Sequence, residues 1–164
     1  MRVARVGVIA AAVLAVATVA WAQKTDFSGT WTLDAEASGM QAGAGGGGGG
    51  GRGGGGGALG MGGSIKQTAD TLTIERMAGE NKVTLTYKLD GTESKNSMMG
   101  RGGAAVEQTS VAKWDGPKLV ITTKQPGQDG AMVESTQTWS LAGAVLTVEG
   151  TGGRGPTKRV YKKG

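Results

Sequence analysis

The sequence predicts an all-β domain: an antiparallel up-and-down meander barrel of about 8–10 strands, with a disordered glycine-rich insertion after the first strand. Three observations support this fold class. From Ser64 onward, apolar and polar residues alternate with a period of two, which is typical of strands with one buried face. Turn residues follow at short intervals, which favours hairpins between successive strands. No stretch after residue 22 has a helical period of useful length, and a two-sheet sandwich is the alternative way to protect the strand edges.

The first 22 residues are predicted to be a secretory signal peptide. Arg2 and Arg5 precede an apolar run that ends at Val19. The small side chains of Ala20 and Ala22 suit cleavage after residue 22, and the run is too short for a convincing membrane anchor. We therefore expect an exported protein, either periplasmic or extracellular.

The mature chain begins with the first strand of the barrel, within residues 23–34. Residues 35–63 follow, and 16 of the chain's 33 glycines fall between Gly43 and Gly63. Such a tract buries too little apolar surface to offset the backbone entropy of ordering it, so we expect a disordered loop. Residues 64–164 complete the single barrel domain.

The remaining strands are located by the same period of two. Residues 82–89 show it most clearly, with Leu85 and Tyr87 on the buried face and the turn Asp90-Gly91 at the end. The other strands are expected at Gly29–Leu33, Ile65–Ala69, Leu72–Arg76, Glu93–Met98, Val106–Trp114, Lys118–Lys124, Met132–Leu141, Val145–Glu149 and Thr157–Lys162.

The composition excludes most familiar catalytic chemistry. The sequence contains no Cys and no His, which removes disulfides, zinc sites of the usual ligands and Ser-His or Cys-His catalytic pairs. Its carboxylates fall mostly on the polar faces of strands or beside turns, and no pair is suited to acid–base catalysis. We therefore expect no enzymatic activity, no cofactor and no bound metal.

Basic residues are concentrated at the C-terminus. The last eleven residues contain Arg154, Lys158, Arg159, Lys162 and Lys163 and no acid. A basic strand of this kind can contact an anionic membrane surface, whereas a solvated strand edge that resists aggregation is the simpler interpretation. Arg52, Arg101 and Arg154 lie between glycines, but aromatic residues do not alternate with them, so nucleic acid is not an expected partner. A monomer is expected.

Short motifs near the two ends of the chain resemble the calycin superfamily. Gly29-x-Trp31 on the first strand is similar to the motif of lipocalins and fatty-acid-binding proteins. The closing Arg159-x-Tyr161-x-Lys163 resembles the last strand of the fatty-acid-binding branch, and Lys113-Trp114-Asp115-Gly116 is similar to its late strands. The resemblance implies a calycin-like barrel that binds a fatty acid or another small apolar ligand non-covalently.

The resemblance also implies a ligand site. In the fatty-acid-binding branch the Arg and Tyr of the last strand hold the ligand carboxylate inside the cavity, which carries over to Arg159 and Tyr161. The alternative is structural, because in lipocalin-like barrels an Arg near the C-terminus packs across the Trp of the first strand, here Arg159 over Trp31. The candidate lining residues of the cavity are Trp114, Trp139, Leu85 and Tyr87.

The chain departs from this branch in three respects. The glycine tract stands where the family has a helix pair, the lipocalin disulfide is absent, and the second cavity arginine expected within residues 132–141 has no counterpart. The alternation of residues nevertheless places Gln137 and Gln108 on inward faces, as a wet cavity allows. The second functional interpretation is a structural or interaction protein of the cell envelope, with a filled barrel and a glycine-rich contact arm.

Overall fold

The computed structural model describes residues 24–40, 57–99, 104–127, 130–152 and 155–164. The predicted signal peptide lies outside these residues, and so does the central part of the glycine-rich insertion, residues 41–56. The described strands are β1 (Gly29–Asp34), β2 (Gly62–Gln67), β3 (Thr71–Ala78), β4 (Asn81–Lys88), β5 (Glu93–Met99), β6 (Ala105–Asp115), β7 (Lys118–Pro126), β8 (Met132–Ala142), β9 (Val145–Thr151) and β10 (Thr157–Lys163). Within the same residues, no helix has the length and apolar character needed to cross a membrane.

The strands form one antiparallel sheet in the order β4-β3-β2-β1-β10-β9-β8-β7-β6-β5. Every pair of neighbours is consecutive in sequence except β1 and β10, which join the two ends of the meander with Leu33 opposite Tyr161. This confirms the predicted all-β meander barrel. We call the end at which β1 begins the lower end and the end at which β1 finishes the upper end.

Side chains close the barrel where β4 meets β5, the two end strands of the sheet. The backbone N–H of Thr86 donates to Oδ1 of Asn96 at 2.7 Å, and Nδ2 of Asn96 donates to the Thr86 carbonyl at 3.0 Å. The N–H of Lys88 donates to Oγ of Ser94 at 2.8 Å. These bonds satisfy backbone groups of β4 that would otherwise pair with the backbone of a neighbouring strand.

An aromatic cluster fills the lower end. Phe27 stacks on Trp114 with the ring centroids 6.0 Å apart and meets Trp139 edge-on at 5.9 Å. The indole N–H of Trp31 donates to the carbonyl of Phe27 at 2.9 Å. Each such aromatic pair contributes about 0.5–1.5 kcal/mol beyond the area that it buries. The lower half of the interior is therefore apolar and closed.

The glycine-rich insertion is ordered at both ends of its predicted range, 35–63. Residues 35–39 form a turn in which Oγ of Ser38 accepts the backbone N–H of Val160 at 2.9 Å. Residues 57–61 form a second turn, and Leu59 in it is only 1% exposed. The prediction of disorder therefore does not hold at these ends, because Leu59 supplies the apolar burial that the tract itself lacks.

Candidate functional site

Two arginines converge in the upper half of the barrel interior. On β3, Leu72 and Ile74 face the core and are fully buried, and Arg76 continues the same face at the upper end. On β10, Arg159 lies two residues above the buried Tyr161. Burial lowers the pKa of the Arg76 guanidinium, and the positive charge of Arg159 lowers it further. The structure thus holds two like charges close together in a partly desolvated space.

Two tyrosines accompany the arginines. Burial raises the pKa of Tyr87, and the positive charge of Arg76 acts in the opposite direction. Burial likewise raises the pKa of Tyr161, against the opposing influence of Arg159 and Arg76. Both phenols therefore stay protonated at neutral pH and remain hydrogen-bond donors rather than counter-ions for the guanidinium groups.

Neither guanidinium has a carboxylate partner among the described residues. The ion pairs found there join lysines to acids elsewhere, as for Lys162 and Asp34 at 2.7 Å. In addition, Nε of Arg76 is buried without a hydrogen-bond partner. A buried donor without a partner costs about 1–3 kcal/mol, and buried charges in proteins are normally paired. The arrangement has the chemistry of an anion-binding site.

The residues predicted to bind a ligand fall into two groups. Arg159 and Tyr161 lie together on β10, whereas Leu85 and Tyr87 are buried on one face of β4, opposite Ile74 and Leu72 of β3. Trp114 and Trp139 instead pack against Phe27 in the lower aromatic cluster. The two tryptophans form the floor of the interior rather than the surroundings of the arginines.

Arg76 is the site residue that the sequence did not identify. The second cavity arginine was expected on the strand within residues 132–141 and was not found there. The structure supplies one from β3 instead. The signal in the sequence was the spacing of two residues, which places Leu72, Ile74 and Arg76 on one face of the strand.

The cation over Trp31 is Lys163, not Arg159. The Lys163 ammonium nitrogen lies 5.5 Å from the centroid of the indole ring. The register of β1 and β10 explains the difference, since Trp31 lies opposite Lys163 while Arg159 lies opposite Val148 of β9. The predicted structural closure by Arg159 and Trp31 is therefore corrected to closure by Lys163 and Trp31.

Further polar residues line the interior on β6, β7 and β8. Gln108 and Ser110 are buried, as their alternation on β6 predicted, and Ser110 shares a hydrogen bond of 2.8 Å with Thr123 of β7. On β8, Oε1 of Gln137 accepts the indole N–H of Trp139 at 3.3 Å. The polar upper half and the apolar lower half thus meet at the level of these side chains.

The second ordered turn of the insertion covers the arginine pair. The hydroxyl of Tyr161 donates to the carbonyl of Gly60 at 2.9 Å, and the N–H of Ala58 approaches Oε1 of Gln137 at 3.4 Å. A methyl group placed on Gly60 would lie 3.2 Å from Nη1 of Arg76, and one on Gly57 would lie 3.7 Å from Nη1 of Arg159. The turn therefore lies beside both guanidinium groups, closer to that of Arg76.

Two concavities lie on the outer face of the sheet rather than inside it. One, of about 290 Å³, is lined by outward-facing residues of β5 to β8 such as Thr109 and Thr122. The other, of about 430 Å³, is lined by β8, β9 and β10 and includes Thr138 and Lys158. Neither is lined by Arg76 or Arg159.

Comparison with solved structures identifies the fold. No protein-family profile matches the chain, and no curated protein matches its sequence. Human cRBP IV is 19% identical over 85% of this chain and 99% of its own, with a TM-score of 0.53. The REP1-NXSQ fatty acid transporter is 14% identical over 84% and 95%, with a TM-score of 0.52. Secretory abundant heat soluble protein 4 from Ramazzottius varieornatus is 18% identical over 86% and 98%, also at 0.52. The chain therefore has the calycin-type barrel fold that its terminal motifs predicted.

Proposed function

We propose that this protein binds a small apolar ligand with an anionic head group, such as a fatty acid, non-covalently inside the barrel. The observation that carries the proposal is the pair formed by Arg76 and Arg159, which has no carboxylate partner among the described residues. A ligand carboxylate is the natural counter-ion for two guanidinium groups, because its oxygens accept several N–H donors at once.

The arrangement of side chains assigns a part to each residue. The carboxylate would accept hydrogen bonds from Arg76, Arg159 and the hydroxyl of Tyr161. Charge-assisted bonds of this kind contribute about 1.5–3 kcal/mol each. The apolar tail would lie toward Leu85 and Tyr87, which are 0% and 2% exposed and belong to the same hydrophobic cluster.

The fold is consistent with this proposal, since one solved chain that shares it is described as a fatty acid transporter. We propose in addition that the protein is exported and monomeric, as the sequence predicts. The exposed side chains of Lys158, Lys162 and Lys163 would allow peripheral contact with an anionic membrane surface.

Native mass spectrometry of mature protein isolated from its own envelope fraction tests the proposal, with added palmitate as the defined probe. We expect a non-covalent adduct of lipid mass that is lost on denaturation. Arg159→Ala should weaken palmitate binding by about tenfold to a hundredfold, the loss of one charge-assisted contact. Lys158→Ala, on the exposed side of the same strand, is the matched control and should bind like the wild type. An apo mass that persists with added palmitate would refute ligand binding.

The second candidate is a structural or interaction protein of the envelope, and one observation favours it. The lower interior is filled by the packed rings of Phe27, Trp31 and Trp139, each no more than 1% exposed. In that case the glycine-rich insertion would be the contact arm. Deleting residues 45–54 leaves six linking residues with a reach of about 20 Å and keeps Leu59 in place. Loss of envelope association with an unchanged barrel would support the arm, whereas altered palmitate exchange alone would support the carrier.

A further inference from the structure

We propose that residues 57–61, here called the Leu59 turn, act as an internal ligand that occupies the anion site and must leave before an external ligand binds. The inference rests on the proposed function. It adds that the turn competes with the ligand and that the site prefers ligands with a negative charge. It is carried by the contacts of Leu59 and Gly60 with the barrel interior.

The Gly60 carbonyl occupies the position of a ligand head group. It accepts the hydroxyl proton of Tyr161 at 2.9 Å, and the backbone of Gly60 lies against Nη1 of Arg76. A phenol has a single proton to donate, so Tyr161 cannot donate to Gly60 and to a ligand carboxylate at the same time. A head group that takes the Tyr161 proton therefore breaks the bond that holds the Gly60 carbonyl in place.

The side chain of Leu59 occupies the space that an apolar tail needs. It is 1% exposed and belongs to the same packed cluster as Leu85 and Tyr87. Protein interiors are packed about as densely as organic crystals, so a tail cannot enter while Leu59 is in place. The head group and the tail of the ligand thus compete with one short piece of chain, the Gly60 carbonyl and the Leu59 side chain.

Few hydrogen bonds join the turn to its neighbours. The bond from the N–H of Gly60 to the Gly57 carbonyl, at 2.8 Å, lies within the turn, and the bond from the N–H of Gly62 to the Leu59 carbonyl, at 3.0 Å, joins it to β2. A bond of 3.1 Å from the N–H of Leu33 anchors the Met61 carbonyl to β1. Gly62 has a φ of 139°, which a residue with a side chain rarely adopts, and it lies where the turn joins β2.

The contacts between turn and barrel are weaker than those available to an anion. The bond from Ala58 to Gln137 is long at 3.4 Å, and Nε of Arg76 stays unpaired while the turn is in place. The neutral Gly60 carbonyl leaves both guanidinium charges without a counter-ion. A carboxylate would supply that charge, whereas a neutral ester would gain little over the carbonyl that it displaces. The Leu59 turn therefore selects for ligands with a negative charge.

Thiol labelling of Leu59→Cys tests whether the turn opens on its own and whether ligand holds it open. The chain has no natural Cys, so the introduced thiol is unique. Ile65→Cys, in β2 and 2% exposed, is the matched buried control. Without ligand, we expect Leu59→Cys to react at least about tenfold faster than Ile65→Cys, because local opening precedes global unfolding. Palmitate should accelerate labelling of Leu59→Cys by a further factor of about ten, whereas labelling of Ile65→Cys should slow, because bound ligand makes global unfolding rarer.

Binding measurements supply the second arm. Leu59→Gly should raise the affinity for palmitate about tenfold, because the ligand no longer has to displace a buried side chain. Met77→Ala, on the exposed face of β3, should bind like the wild type. For the wild type, palmitate should bind at least about tenfold more tightly than its methyl ester.

The outcomes separate the two proposals. If the wild type binds palmitate but palmitate does not accelerate labelling of Leu59→Cys, the internal ligand is refuted and the proposed function stands. Equal labelling of Leu59→Cys and Ile65→Cys without ligand would also refute it. Failure of every variant to bind palmitate would refute the proposed function, and the displacement with it.

Discussion

Replacing Arg76 by Met should stabilise the ligand-free protein and weaken ligand binding. Met has a similar length and no charge, so the substitution keeps the packing of β3 and removes the guanidinium group. In the structure, Nε of Arg76 is buried without a partner and the charge of Arg159 lies close to it. A site kept for an anion is expected to be unfavourable when the anion is absent.

The magnitude follows from these contacts. The unpaired donor costs about 1–3 kcal/mol, so Arg76→Met should raise the free energy of unfolding by roughly that amount. With palmitate at a hundred times its dissociation constant, the wild type gains about 2.7 kcal/mol by linkage. If the variant binds tenfold to a hundredfold more weakly, it gains only about 0.4–1.4 kcal/mol at the same concentration.

Urea denaturation with and without palmitate measures both the stability of the ligand-free protein and the stability gained from bound palmitate. The variant should be the more stable protein without ligand, and its advantage should shrink or reverse when palmitate is added. Arg76→Lys keeps a positive charge and is the control for packing. A loss of more than about 1 kcal/mol in ligand-free Arg76→Met would refute the reasoning, because it would mean that the guanidinium group is structurally paired.

Two other perturbations test the barrel itself. Asn96→Leu removes both partners of the Thr86 backbone groups and should lower the free energy of unfolding by about 2–3 kcal/mol. Hydrogen exchange at the Thr86 amide should become faster. Ser97→Ala, which changes an exposed residue of the same strand, should alter neither quantity. The hydrogen bond from Lys162 lowers the pKa of Asp34 below its ordinary value, so its stabilising effect is present above the ordinary pKa and is lost as the pH falls through the lowered pKa. In acid titrations, the stability difference between the wild type and Asp34→Asn should therefore begin to shrink only below about pH 4 and fall progressively as the pH is lowered further, and a difference that does not shrink in that range would contradict the assignment.

The strands could be predicted because their pattern is local. The fourth strand was expected at residues 82–89 and is found at Asn81–Lys88, since each inward residue from Val83 to Tyr87 alternates with a polar one. The short turns between successive strands then favour a meander. Closure of β1 on β10 followed from the resemblance of both strands to one superfamily.

The anion site could be predicted only in part, because it depends on register and on long-range closure. Arg159, Tyr161 and Lys163 share one face of β10, and no hydrophobic pattern decides which cation meets Trp31. Arg76 lies near the upper end of β3, where a polar residue ordinarily faces solvent. Leu59 is a single apolar residue in a glycine-rich segment, so the composition of the segment predicted disorder there.

The pairing of β1 with β10 has a consequence for how the chain folds. Trp31 and Lys163 come from opposite ends of the domain, so the contact that closes the barrel has nearly the largest sequence separation that the domain allows. High contact order slows folding, and a chain that lacks β10 leaves both β1 and β9 with unpaired edges. The barrel therefore cannot close before its last strand has been synthesised.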